Sequence, residues 1–570
     1  MIKNIFIFFV FYTTFTNWLN AQTLTDENFI QNEIYKEQVY LHLNSSLLFS
    51  GEKLLYKFYC LNTETNKLSD LSKIGWVILL NSDKEEVFQQ KLNLEHGQSY
   101  SDFFIPSNLP SGAYKILAYT SWMLNAEKNY FEQDIHILNP YQKENKGFIL
   151  EENPEILSQK SEPEVSSDFK LKLNKNSFSL REEVVVNFET SYEILGDFSI
   201  SVRRIDNFSK PKRIKSINYN KLYENISWNY SDTLILPEVR GSLVSGRVVV
   251  KDNSLLKSKN LIISSPGEES QVNIVSINDM GEFSFTINND LAVNELLLQL
   301  VGDKQQDFNV ELKQTIQPDI SQLVFKKPII DDGFKEYIIE KSVYNQIENA
   351  YSITKADQSI FPKNKRYFFN NELLKFNLDN YTRFPDVTQT FVEIIEYGRV
   401  KRNGDGTHSI LVRNQNTNGE FTLPALLIVD GVVVQDHDKL VSFDAEKIQS
   451  IGLLRSKFFF GPETYQGVVV VETKDGNFPD EFRDDSIKFK EVITAQILKI
   501  YYSPNYNNEN LERIPDYRYQ LLWNPEINFK TTGNKLRFFT SDLEGSFEIN
   551  LEGFTSDGKP ISLSKTFEVK

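Results

Sequence analysis

Short alternations of apolar and polar residues, each closed by Gly, Asn, Asp or Pro, recur along most of this 570-residue chain. A segment of period two has one apolar face and is stable only when a second face covers it, so the pattern predicts stacked antiparallel sheets. Aromatic residues reach 13%, with 43 Phe and 26 Tyr, enough to fill several such cores. The length exceeds what a single core supports, and about three to five domains are expected. The predicted class is mainly β: tandem Ig-like sandwiches with one small α/β domain.

The first 22 residues, "MIKNIFIFFVFYTTFTNWLNAQ", place one Lys before an apolar run and a small residue at Ala21. This predicts a secretory signal peptide over 1–21, followed by an N-terminal segment at 22–35. No other stretch reaches the roughly 18 apolar residues of a membrane helix, so the mature chain is expected to be exported and not membrane-spanning. The net charge of −16 argues against nucleic acid and against an anionic membrane face as partners. The single cysteine, Cys60, excludes an internal disulfide framework and reads as a buried thiol on the strand "KLLYKFYC".

Residues 36–140 carry hairpin after hairpin and include "LPSGAYKILAYTSWMLN". Gly51, Glu52, Pro110, Ser111, Gly112, Tyr114, Tyr119, Thr120, Trp122, Met123 and Asn125 give this unit the pattern of a macroglobulin domain, and it resembles those of the α2-macroglobulin superfamily. The resemblance implies a macroglobulin-like β-sandwich. A Glu/Ser/Pro-rich linker follows at 141–168, then a second macroglobulin-like sandwich at 169–235. The stretch 236–315, with Gly241, Gly246 and "NDMGEFSF", is similar to the carboxypeptidase-regulatory β-sandwich, a non-catalytic spacer. Residues 316–375 form a helical connector, in which Phe334, Tyr337, Ile338, Tyr344, Ile347 and Tyr351 fall on one side of a helix. A small Ig-like sandwich is expected at 479–570.

Between them, 376–478 mixes helix and strand. Asp386 is placed to cap a helix. In "LPALLIVDGVVVQDHDKLVSFDAEKIQSIGLLR", Asp430-Gly431 suits the tight turn of a buried hairpin, and Asp444 a second cap. The run "GVVVVETK" suits a strand covered on both faces. Val429, Asp430, Gly431, Ile448, Ile451, Gly461, Gly467, Thr473, Lys474 and Gly476 together resemble the plug domain of TonB-dependent receptors. A receptor barrel needs several hundred further residues, whereas 94 follow Gly476, so the resemblance implies a plug-like α/β fold without its barrel. The combination resembles exported macroglobulin-domain proteins of Gram-negative bacteria.

No catalytic constellation is visible. Cys60 is followed by Leu61-Asn62-Thr63, so the Cys-x-Glu-Gln thioester of macroglobulin traps is absent, and there is no Gly-x-Ser-x-Gly or His-Glu-x-x-His. The stretches "NGDGTH" (403–408) and "QDHDK" (435–439) have acidic residues at alternate positions, but neither completes a calcium loop with a Gly and a distal Glu, and both read as ordinary turns. No cofactor or metal is expected. The sequence reads as a non-enzymatic protein of the periplasm or outer membrane that docks on an envelope protein through its plug-like domain. Phe458, Phe459, Phe460 and Tyr465 form the expected contact surface, since three consecutive Phe cannot share one strand face. The alternatives are a thioester-lacking protease-binding protein and an accessory to TonB-dependent import.

Overall fold

The computed structural model describes residues 35–142, 148–151 and 169–570, except 191–194, 207, 209, 225, 227–233, 252–255, 258, 267–270, 288–293, 303–307, 332–334, 361–372, 417–421, 482–484, 508–510, 528 and 530–534. The expected signal peptide and most of the expected linker lie outside the described residues. The chain is mainly β.

In the first sandwich, Glu37–Leu43, Lys53–Asn62 and Gln98–Phe104 form one sheet. The facing sheet has five strands, in the order Leu47–Phe49, Phe131–Leu138, Gly112–Tyr119, Ile74–Leu80 and Glu86–Asn93. The alternation of "KLLYKFYC" sends Leu54, Tyr56, Phe58 and Cys60 into the core at zero exposure. Burial, with the Glu37 carboxylate beside it, pushes the Cys60 thiol well above its ordinary pKa. Trp122 and Met123 are buried in a 3-10 turn, where Trp122 Nε1 donates to Tyr35 O at 2.6 Å.

The second sandwich is built from two remote pieces of chain. Glu183–Thr190 lies between Phe169–Leu173 and Lys535–Phe539 and pairs with both. Gly196–Arg204 lies between Gln520–Ile527 and Gly545–Thr555, with Val202 opposite both Leu522 and Ile549. Phe169, Phe198, Phe538, Phe547 and Phe567 share the core. Separate sandwiches at 169–235 and 479–570 are therefore replaced by one. Neither piece has enough strands to cover its own apolar faces, and the two complete each other. Everything from 205 to 519 is an insertion within this sandwich.

The insertion carries two further units. In the third sandwich, Glu282–Ile287, Ser242–Val250 and Phe308–Leu312 face Gln271–Ser276, Asn260–Ser265 and Glu295–Leu300. Its second sheet gains an edge strand, Lys488–Glu491, from the returning chain. The α/β module has one sheet in the order Leu374–Asn377, Ile448–Phe460, Glu463–Thr473, Leu426–Val429 and Val432–Val433. One face of that sheet packs on Phe391, Ile394, Leu440 and Phe443, and the other on Ile262, Val272 and Ile274 of the third sandwich. Cover on both faces is the reason Val468, Val469 and Val471 are all at zero exposure.

Both connections of the insertion run along the first sandwich. On the way out, Tyr223 OH donates to Val39 O at 2.7 Å and Ile235 N to Asn125 Oδ1 at 2.9 Å. On the way back, Gln496 N donates to Lys91 O at 2.8 Å, and Lys499 Nζ binds Asp102 at 2.8 Å. The helix Lys335–Ala350, here α1, differs from the sequence expectation. Its buried residues are Lys341, Ser342 and Asn345, while Ile339 and Val343 are exposed and Tyr337, Ile338 and Tyr344 half-buried. Phe334 lies outside the described residues. The helix turns polar groups inward because it sits on a charged junction between the first two sandwiches.

Candidate functional site

At that junction Lys341, at zero exposure, places Nζ 3.0 Å from Asp206 Oδ2 and 3.5 Å from Glu52 Oε1. The ammonium also lies 4.2 Å from the Phe49 ring centroid and 4.5 Å from that of Tyr519. Arg203 Nη2 donates to Glu52 Oε1 at 2.7 Å, and Tyr337 OH to Asp206 Oδ1 at 2.7 Å. Two cations thus face two carboxylates drawn from the first sandwich (Glu52), the second (Arg203), the segment after it (Asp206) and α1 (Lys341). Burial pushes the Asp206 carboxyl up, but Lys341 and Arg203 overcome it and hold the group at about 2. A second buried pair ties the returning chain: Arg518 donates to Asp516 at 2.6 and 2.7 Å, and Tyr517 N to Glu348 Oε1 of α1 at 2.6 Å.

Of the motif residues named from the sequence, Asp430, Gly431, Thr473 and Gly476 come together as a hydrogen-bonded knot, while Gly461 and Gly467 lie further along the strand pair. Asp430 (φ +48°) and Gly431 (φ +82°) form the turn between Leu426–Val429 and Val432–Val433, a left-handed pair that the Asp-Gly sequence accommodates. The Asp430 carboxylate accepts from Thr473 N at 2.8 Å, Thr473 Oγ1 at 2.6 Å and Phe478 N at 3.2 Å. Gly476 N donates to Thr473 Oγ1 at 3.0 Å. Gly467 sits against Val412, where a Cβ would meet the valine Cβ at 2.8 Å. These residues hold the module's shape. Asp386 and Asp444 accept from Gln389 N and Glu446 N, as the caps require.

The strands Ile448–Phe460 and Glu463–Thr473 extend beyond their sheet as a two-stranded arm. Phe458, Phe460 and Tyr465 turn to the third sandwich and pack against the cluster of Ile262, Val272 and Ile274. Phe459 is 74% exposed. The four residues therefore do not form one contact surface: a neighbouring unit covers three of them, and alternation puts Phe459 on the opposite face. At the arm's tip Gly461 (φ +55°) approaches the third sandwich so closely that a Cβ would lie 2.2 Å from Ile274 O. Gly461→Ala is expected to push the arm off its seat, and hydrogen exchange at 271–276 should quicken at least tenfold while the first sandwich is unchanged. Unaltered exchange would refute the tight seating. The seat has polar pins as well: Gln299 Nε2 donates to Val433 O at 2.8 Å, and Gln435 Nε2 to Leu300 O at 2.9 Å.

A cleft of ≈ 50 Å³ lies beside those pins, lined by Gln299, Val433, Gln435, Lys439 and Phe478. Small-molecule sites span about 300–1,000 Å³, so this one holds little more than water. The two acidic stretches meet nearby: the His408 ring Nδ1 is 2.6 Å from Asp438 Oδ1, and Ile410 N donates to His437 Nδ1 at 2.8 Å. They brace the hairpin Gly398–Arg402/His408–Val412 on the helix His437–Val441. Among the described residues no group of three or more His, Cys, Asp or Glu is placed to hold a metal. Sequence reasoning missed the Lys341 junction, since a lysine within a helix carries no mark of its burial.

No family model and no curated protein matches the chain. Among solved structures, Salmonella α2-macroglobulin reacted with methylamine is 8% identical with a TM-score of 0.22, covering 94% of this chain and 39% of its own. Escherichia coli α2-macroglobulin activated by porcine elastase is 8% identical with a TM-score of 0.24, covering 94% and 44%. The Escherichia coli adhesin FdeC is 8% identical with a TM-score of 0.14, covering 48% and 62%. The chain spans less than half the length of these macroglobulins. At such scores the likeness decides nothing about function, and the functional reading rests on the chain's own residues.

Proposed function

We propose that this chain is a non-catalytic interaction protein of the bacterial envelope. Its sandwiches hold the plug-like α/β module in a fixed orientation, and the module docks on a partner in the periplasm or at the outer membrane. The observation that carries this reading is the use made of the buried charges. Lys341, Arg203, Asp206 and Glu52 pair with one another across unit boundaries. Enzymes set their perturbed groups in a cavity, where a substrate meets them. Here those groups instead stiffen the junction of α1 with the first two sandwiches.

Photocrosslinking in intact cells tests this. A crosslinker at Phe459, on the module's free face, is expected to give one discrete adduct with an envelope component. One at Lys170, on the outer sheet of the second sandwich, is expected to give none. Equal labelling at both positions, or none at either, would overturn docking through the module. A stable complex with added proteases, formed without position 459, would favour the thioester-lacking macroglobulin-like alternative.

A further inference from the structure

The outward face of the arm carries a second message. Lys457 lies opposite Gln466 and Phe459 opposite Thr464, so these four side chains share the face turned away from the third sandwich. Gln466 Oε1 accepts from Leu423 N at 2.9 Å, which fixes Leu423, 54% exposed, at the other end of that face from Phe459. Arg455 donates to Arg413 O at 3.1 Å and lies 3.6 Å above the Tyr397 ring, which brings Arg413 alongside. Lys457 and Arg413 are exposed. The nearest carboxylate on the arm, Glu463, is engaged elsewhere, accepting from Asn260 Nδ2 of the third sandwich at 2.6 Å. Two exposed apolar groups, Phe459 and Leu423, thus stand beside the exposed cations Lys457 and Arg413.

We infer that this face is a peripheral docking surface for an anionic lipid bilayer. Phe459 and Leu423 enter the headgroup region, and Lys457 and Arg413 lie against lipid phosphates. A protein partner would need a pocket for each protruding group, whereas a bilayer interface accepts apolar protrusions ringed by cations without one. The net charge of −16 weighs against an anionic membrane face for the molecule as a whole but does not decide this local contact. That charge is spread over the whole molecule, and at physiological salt it is screened beyond about 8 Å, so the local cations decide the contact. The inference rests on the docking reading above and names what the module docks on.

The test is co-sedimentation of the full chain with vesicles of phosphatidylcholine containing 30% phosphatidylglycerol, and with pure phosphatidylcholine vesicles. Binding to the anionic vesicles is expected, falling with added salt and weak on the neutral ones. Phe459→Ser is expected to lower the partition coefficient roughly tenfold, and Lys457→Glu about fivefold or more. Both positions are exposed, so the melting curve should stay unchanged. Absence of anionic-vesicle binding, or equal binding by wild type and both variants, would overturn the inference. So would wild-type dimers that Phe459→Ser abolishes, which would make a second copy the occupant. Failure on vesicles together with a discrete protein adduct at position 459 would overturn the lipid assignment alone and leave docking through the module standing.

Discussion

Lys341→Met is expected to destabilise the junction of α1 with the first two sandwiches by about 3–5 kcal/mol, the usual cost of removing one partner from a buried ionic cluster. Asp206 would lose its bonded ammonium, with Lys210 acting only at longer range, and Glu52 would keep Arg203, among groups whose side chains are 3–9% exposed. Lys341→Met/Asp206→Asn restores the balance and should recover at least half of the loss, a coupling that independent sites do not show. A chain of several units does not unfold in one step, so the measurement is hydrogen exchange in α1 and in 196–204. Strict additivity of the two substitutions would sink the account. The cluster also has a pH signature. The Asp206 carboxyl is held at about 2 against an ordinary 3.8. Its stabilisation is full above pH 4 and is lost as the pH falls through about 2.

Lys57→Met should have the opposite sign. Lys57 is 1% exposed on the sheet face that meets the second sandwich, near the rings of Tyr59 and Tyr100, at 5.7 and 5.4 Å from their centroids. Among the described residues it forms no ion pair. Burial lowers its pKa from 10.5 to about 8, with Glu526, Asp197 and Glu95 too distant to restore it. A depressed lysine costs most below about pH 8, where it is charged in both the folded and unfolded chain, and the cost fades as the pH rises to 10.5. At pH 7.5 Lys57→Met is therefore expected to stabilise the junction by about 3 kcal/mol, with the gain gone near pH 10.5. A variant equal to or weaker than wild type at pH 7.5 would show that the burial cost is already met by its neighbours. Hydrogen exchange in 53–62 and 196–204, with the variant compared to wild type at each of the two pH values, makes the comparison.

The same junction sets an acid limit. His42, the strand partner of Lys57, is fully buried, and burial followed by the nearby Arg213 holds its pKa well below 6.5. Its Nδ1 meets Ser199 Oγ at 2.7 Å, while among the described residues Nε2 has no hydrogen-bond partner. The unfolded chain takes up a proton below pH 6.5 that the folded chain refuses, so this contribution to stability declines as the pH falls through that range. Junctions of this kind, stiff but electrostatically costly, are where a multi-unit protein of this design would first loosen.

Much of the molecule is legible in local pattern because the cause is local. A face of Tyr56, Phe58 and Cys60 must be buried whichever sheet covers it, and an Asp-Gly pair makes a left-handed turn wherever two apolar strands flank it. The period-two pattern likewise shows that Phe458 and Phe460 oppose Phe459. It does not show which side of the arm is covered, because that depends on Ile274, far away in the chain. Nor does the charged face of α1 announce that Lys341, not Ile339, turns inward.

What local chemistry decided for this chain is its class: mainly β, with strands where side chains alternate and turns where Gly and Asp relieve the backbone. Which strands share a sheet was decided only in three dimensions. Residues 169–204 could pair with any strand of matching alternation, and their union with 520–569 follows from two incomplete sandwiches covering each other's apolar faces. Backbone hydrogen bonding is the same for every partner, so the choice lies in side-chain packing and in the two connections that bring the ends of a 315-residue insertion (205–519) back together along the first sandwich.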